Sequence, residues 1–171
     1  MFQHDVDKKR RKRYTPDDFR KIRSGCVATN IGKANRIISR IYEEAFREME
    51  ISAPQFALLV ALKISPGSTA SGLAETLGAD PSTVSRNTEL LIKRGLIAVR
   101  PGKDKRVRTY SLTPEGDERV QACVPRWRSA QRTALKKIGR GRWREILSSL
   151  RRLALQPTRT PGHSPCRRPS V

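Results

Sequence analysis

The chain has 171 residues, enough for one domain with a core or for one domain with an extension. Its 36 Lys and Arg against 16 Asp and Glu leave a net charge of +20, which points to nucleic acid or an anionic surface as partner rather than to any particular fold. Three widely spaced cysteines (Cys26, Cys123, Cys166) and two histidines in opposite tails (His4, His163) offer neither a metal cluster nor histidine acid–base chemistry.

Residues 1–16 read as a mobile basic arm, with Lys8, Lys9, Arg10, Arg11, Lys12 and Arg13 in one run. No apolar stretch follows that run, so no secretory signal is expected, and no segment approaches the roughly 20 apolar residues of a membrane span. The expected location is the cytoplasm, with no membrane partner. Over 24–49, Val27, Ile31, Ala34, Ile38, Ile41 and Ala45 recur at spacings of 4 and 3, the apolar stripe of one long helix. Ile37, Tyr42 and Phe46 widen the stripe beyond what a single neighbour would cover.

A second helix is predicted over 52–63, with Ser52 and Gln55 at capping-box spacing and Pro54 in the first turn. "SPGS" at 65–68 breaks the chain. A short third helix follows over 69–78, capped by Thr69 and closed by Gly78, with Leu73, Ala74 and Leu77 facing inward. Asp80 caps a fourth helix with Pro81 at its first position, and Gly95 stops it. "LIAVR" (96–100) and "RVRTYSL" (106–112) are strand candidates joined by "PGKDK" (101–105). Thr113 and Pro114 open a helix reaching about Ile138, with Glu115 and Asp117 in its first turn. "GRG" interrupts it, and a last helix covers about 142–155. The Pro-, Ser- and Arg-rich tail from 157 to 171 reads as disordered.

Two helices separated by the two residues after Leu77 and Gly78, followed by a hairpin, have helix–turn–helix and wing spacing. In the fourth helix Val84, Thr88 and Leu91 share one face, which would pack on the third helix. Ser82, Arg86, Glu89 and Lys93 share the opposite face. A recognition helix offers its N-terminal residues to base edges in the major groove. There the short hydroxyls of Ser82, Thr83 and Ser85 approach closely, and Arg86 reaches guanine O6 and N7 with two hydrogen bonds. Thr69 and Ser71, at the head of the preceding helix, join these candidate DNA contacts. So do Lys93, Lys103, Asp104, Lys105, Arg106 and Arg108, the basic hairpin tip being suited to a narrow minor groove. Read alone, the helix is also an ordinary capped surface helix; the basic hairpin after it favours the DNA-binding reading.

"ISAPQFALLVAL", "TASGLAETLGADPSTVSRNTELLIKRGLI" and "GKDKRVRTYSLTPEG" resemble the MarR family of bacterial transcription regulators. "SGCVATNIGKANRIISRIYEEAF" is similar to the family's long first helix. The resemblance covers about residues 24–155. It implies a mainly α fold with a small β-hairpin wing: a winged helix–turn–helix domain over 17–156, its DNA-binding core at about 50–113, with dimerisation helices at about 24–49 and 114–155. It further implies a non-enzymatic homodimer without cofactor, repressing promoters at a pseudo-palindromic operator on double-stranded DNA. Release would come from a small aromatic effector or from oxidation. The family's wing motif Asp-x-Arg stands here as Asp104-Lys105-Arg106, with Arg106 entering the minor groove and Asp104 orienting the wing arginine. Effector candidates by the same resemblance are Tyr42, Phe46 and Phe56, with Arg40 as carboxylate partner, and the redox candidate is Cys26. Gly72 departs from the acidic residue usual in the family. The last helices are unusually basic, with ten Lys and Arg over 126–152 against Glu145 alone. The rival reading is a non-specific basic nucleoid or RNA-binding protein. An enzyme finds no nucleophile–base pair, phosphate loop or metal cluster in the sequence.

Overall fold

The computed structural model describes residues 13–102, 104 and 106–155. The arm up to residue 12, the tail from 157, Lys103, Lys105 and Cys166 lie outside the described residues. The chain divides into two units, one ending at Arg40 and one beginning at Ile41.

The first unit begins where an arm was expected. Helix α1 spans Pro16–Gly25. Thr15 caps it in a reciprocal box: its hydroxyl accepts from the Asp18 amide, and the Asp18 carboxylate accepts the Thr15 N–H at 2.8 Å. Those bonds hold the Asp18 carboxyl below its usual range, the backbone bond contributing most. Helix α2 spans Val27–Phe46, so the single helix expected over 24–49 is divided at Cys26. Cys26 has extended backbone angles, and the Asn30 side-chain amide donates to the carbonyls of Ser24 and Cys26, both at 2.9 Å. These bonds satisfy carbonyls that the end of α1 leaves without helical partners. No residue of α1 is buried, and Val27, Ile31 and Ile37 of the α2 stripe are exposed, Val27 at 70%.

The second unit contains the end of α2 and everything after it. A 3-10 turn at Arg47–Met49 ends α2 earlier than expected, and Glu50 follows in left-handed conformation. Helix α3 (Ala53–Ile64) starts at the expected capping box, Ser52 with Gln55. Strand β1 (Ser68–Thr69) was not anticipated. Helix α4 (Ala70–Leu77) is capped by Thr69 and closed by Gly78 at φ 56°, where glycine's freedom is needed. Helix α5 (Pro81–Lys93) is capped by Asp80. Strands β2 (Ile97–Pro101) and β3 (Arg108–Leu112) form the hairpin, and β1 pairs with β3 at Ser68–Tyr110 and Thr69–Thr109. The sheet therefore has three antiparallel strands in the order β1-β3-β2 instead of two. Helices α6 (Pro114–Ile138) and α7 (Arg140–Leu155) complete the chain, parted by Gly139 alone.

The core of this unit is built from Phe46, Ile51, Leu58, Leu59, Leu62, Leu73, Val84, Leu91, Leu96, Ile97, Val120 and Cys123. Helix α3 supplies most of it and is apolar nearly all round, as a helix packed on several neighbours must be. It packs against α4, α5, α6 and β3, so the recognition helix and the wing share one support. Among the described residues no helix is long and apolar enough to cross a membrane.

Candidate nucleic-acid interface

Helix α5 is held from its Val84, Thr88 and Leu91 face, whose residues are 2%, 1% and 0% exposed. The polar member, Thr88, satisfies its buried hydroxyl by donating to the Val84 carbonyl at 2.8 Å. With that face committed inward, Ser82, Thr83, Ser85, Arg86, Glu89 and Lys93 all stand exposed. The polar residues come first because the N-terminal turns project outward, and the leucines come later because they anchor. Leu90 is an exception, exposed on the outer side.

The cap fixes how these hydroxyls are used. The Asp80 carboxylate accepts the Ser82 amide at 2.8 Å and the Ser82 hydroxyl at 2.5 Å, which holds its carboxyl below the usual range. The Ser82 proton is thus engaged, and its oxygen is left to accept. Ser85 lies 3.5 Å from the Glu89 carboxylate. Arg86 has no carboxylate in ion-pairing distance among the described residues and is free to reach outward. At the head of α4, Thr69 spends an acceptor on the Gly72 amide at 3.2 Å and lies 3.0 Å from the exposed Ser71 hydroxyl.

In the wing, the Asp104 carboxylate accepts the Arg106 backbone N–H at 2.9 Å, and the Asp104 carbonyl accepts from Val107. Asp104 therefore orients Arg106 through the backbone of the turn, leaving the exposed guanidinium outside the contact. Gly102 donates to the Val107 carbonyl at 2.7 Å, and a Cβ there would come within 3.0 Å of that same oxygen. Arg100 and Arg108 are also exposed. Arg94 is not part of this surface: its guanidinium donates to the Glu50 carbonyl and lies 3.7 Å from the Glu50 carboxylate.

A model of the MarR family matches residues 50–107, the stretch from α3 through the wing. The M. tuberculosis transcriptional regulator MosR, solved in complex with DNA, is 30% identical, with 75% of this chain and 96% of that one covered at a TM-score of 0.66. This chain belongs to the MarR family. Two further similar structures, at lower identity, share the fold. BpsR of Bordetella bronchiseptica, whose DNA binding is regulated by 6-hydroxynicotinic acid, is 24% identical over 76% of this chain and 95% of its own, at a TM-score of 0.69. A mutant of E. coli MarR complexed with operator DNA is 19% identical over 78% and 96%, at a TM-score of 0.71. Among curated proteins no match is found.

The aromatic residues expected to hold an effector in this MarR-family chain are arranged differently. Phe46 is fully buried and its ring centroid lies 4.9 Å from that of Phe56, so Phe46 is core. The half-buried Tyr42 donates its hydroxyl to Gln131, and burial raises its pKa. Arg40 is exposed in the other unit. Only Phe56 borders a cleft. That cleft, of about 560 Å³, lies among α3, α4 and α6, with Val60, Leu77, Val124 and Trp127 as apolar walls and Thr76 and Arg128 as its polar groups. The sequence gave no signal for Trp127 or Arg128, because which face of α6 meets α3 depends on packing.

Cys26 is half-buried in the link between α1 and α2, and hydrogen bonds from Thr29, the side chain's first, hold its thiol below the usual range. Cys123 is fully buried in the core, where loss of hydration raises its pKa.

Proposed function

We propose that this chain is a sequence-specific transcription regulator that binds a pseudo-palindromic operator in double-stranded DNA as a homodimer and represses from it. The observation that carries this reading is the division of α5, with Val84, Thr88 and Leu91 committed to the core and Ser82, Ser85 and Arg86 presented outward. A helix so held offers its first turns to a major groove, and the Asp104-braced turn offers Arg106 to the adjacent minor groove. Thr83, Lys93, Arg108, Thr69 and Ser71 are then phosphate or base contacts at the edges. DNA complexes of MosR and E. coli MarR support the assignment. The dimer is supported by the apolar side chains left exposed on α1 and α2, among them Phe19, Ile22 and Ile31, and on α7, Leu150 and Leu153.

The effector that releases the protein is a small aromatic carboxylate. The cleft beside Phe56 and Trp127 has the volume and apolar lining of a small-molecule site, and Arg128 supplies one cation for a carboxylate. The aromatic acid that regulates BpsR supports the ligand class. Oxidation of Cys26 is a second signal, favoured by its lowered thiol pKa.

Selection of bound duplexes from a random pool, repeated with aromatic acids and with peroxide, tests the reading. A regulator enriches a discrete two-half-site sequence and loses it with one of the two signals. Enrichment of no sequence would leave a non-specific basic binder.

A further inference from the structure

Helix α6 and the start of α7 carry a second basic surface that the α5 and wing contacts do not use. On α6 the packed face holds Val120, Cys123, Ala130 and Ala134, all buried. Arg128, Arg132 and Lys136 follow one another at i, i+4 and i+8 on the opposite face, and all three are exposed. Past Gly139, Arg140, Arg142 and Arg144 are exposed in the first turns of α7. Of the basic residues over 126–152, only Arg126 has a carboxylate partner among the described residues, Glu48.

Ordinary stabilising roles do not account for this charge. Lys136 and Lys137 complement the C-terminal end of the α6 dipole, but Arg132 is a turn earlier. Arg140 and Arg142 sit at the N-terminal end of α7, where the dipole disfavours cations. Nor does a second copy of the chain suit the stripe, since burying unpaired cations against one another costs several kcal/mol per ion. A polyanion fits. The axial step from Arg132 to Lys136 is about 6 Å, close to two of the ~3.4 Å axial steps between charges along one DNA strand.

We propose that Arg132, Lys136 and Arg140 bind the phosphate backbone of a stretch of duplex DNA outside the sequence read by α5. This rests on the reading of the chain as a DNA-binding regulator. Arg132 stands about 27 Å, and Lys136 about 33 Å, along α6 from Pro114, the residue that follows the wing. Helix α5 packs on α3, α4 and β2, whereas α6 packs on α3, β3 and α7. The second surface therefore engages flanking or looped DNA without regard to sequence, and it lengthens the bound segment.

The test compares the full chain with R132Q/K136Q/R140Q on two duplexes. One is about 20 base pairs long and holds only the selected sequence, and the other centres it in about 60 base pairs. Each lost phosphate contact flattens the slope of log affinity against log salt by about 0.9. The expected result is a slope flatter by two to three units, in round figures (~2–3), on the long duplex and unchanged on the short one. The charge-keeping R132K/K136R/R140K should restore the parent slope. R132Q and K136Q measured singly, at about one unit each, carry the test should the triple variant misfold. Equal slopes for parent and variant on both duplexes would overturn the proposal. Equal slopes with loss of binding to poly-glutamate would replace DNA by an acidic protein as the occupant. A flattened slope in a parent that shows no sequence preference would keep the surface and overturn the regulator reading instead.

Discussion

The carbonyl oxygen of Leu96 lies 2.0 Å from where a Cβ on Gly116 would stand. Around this close approach the base of the wing is joined to the start of α6. Thr113 donates its amide to the Leu96 carbonyl at 3.2 Å and its hydroxyl to the Gly95 carbonyl at 2.6 Å, and the same hydroxyl accepts from Gly116 at 2.9 Å. Gly116→Ala forces backbone against backbone with no flexible side chain to yield. We expect it to destabilise the chain by about 3 kcal/mol, at the upper end of overpacking costs. Chemical denaturation measures this, and a variant within 0.5 kcal/mol or so of the parent would show that α6 shifts freely at this point.

Asp104 holds Arg106 through the backbone N–H, which separates two effects in the wing. Arg106→Ala should weaken binding to the selected sequence and flatten the salt slope by about one unit. Asp104→Ala keeps the guanidinium and loosens its turn by the worth of one hydrogen bond, roughly 1 kcal/mol. Asp104→Asn, which retains an acceptor, should bind close to the parent. Fluorescence anisotropy on labelled duplex distinguishes them, and an Asn variant as weak as the Ala variant would point to the negative charge instead of the turn.

The described thiols should separate by pH. The Thr29 bonds favour the Cys26 thiolate and lower its pKa, whereas burial disfavours the Cys123 thiolate and raises its pKa. Because the thiolate is the reactive form, Cys26 alkylation should reach half its maximal rate at a lower pH than free cysteine. Thr29→Val should move that midpoint upward. Peptide mapping after timed labelling assigns the sites, with Cys123 protected in the native protein. An unmoved midpoint in Thr29→Val would remove the Thr29 contribution.

The exposed apolar face of α2 carries the dimer proposal. Ile31→Asp should shift sedimentation from dimer toward monomer at micromolar concentration, since a buried, unpaired carboxylate costs several kcal/mol. A parent chain that sediments as a stable monomer would end the two-half-site account.

Much of this architecture is legible in the residues because caps and periodicity are local. Ser52 with Gln55, Thr69 with Gly78, and Asp80 with Pro81 start or stop helices at the places their chemistry dictates. The face of α5 follows from the spacing of Val84, Thr88 and Leu91. The Thr-Pro start with acids in the first turn, read at Thr113, recurs at Thr15-Pro16-Asp17-Asp18 and starts α1, but the cationic run before it directed attention to an arm. The break at Cys26 depends on a side-chain bond from Asn30, which apolar periodicity does not register. Strand β1 has two residues, too few for alternation, and exists through its distant partner Tyr110. Long-range packing also decides that Arg94 turns to Glu50, and that Phe46 is core while Trp127 and Arg128 line the cleft.

Sequence readout by Arg86 is the centre of the account. Its side chain is exposed on a helix anchored elsewhere, so Arg86→Ala should leave the melting temperature nearly unchanged, within about 0.5 kcal/mol of stability. Leu91→Ala, on the buried face, should cost about 2–5 kcal/mol. The deciding measurement is the affinity of Arg86→Ala for the selected duplex against a scrambled one of equal length at fixed salt. A bidentate guanine contact gives about 1–3 kcal/mol of discrimination. The expected result is a loss of roughly 10- to 100-fold on the selected duplex with little change on the scrambled one. A variant that keeps its preference for the selected duplex and melts well below the parent would show Arg86 to be structural, and would contradict the assignment of this face to DNA.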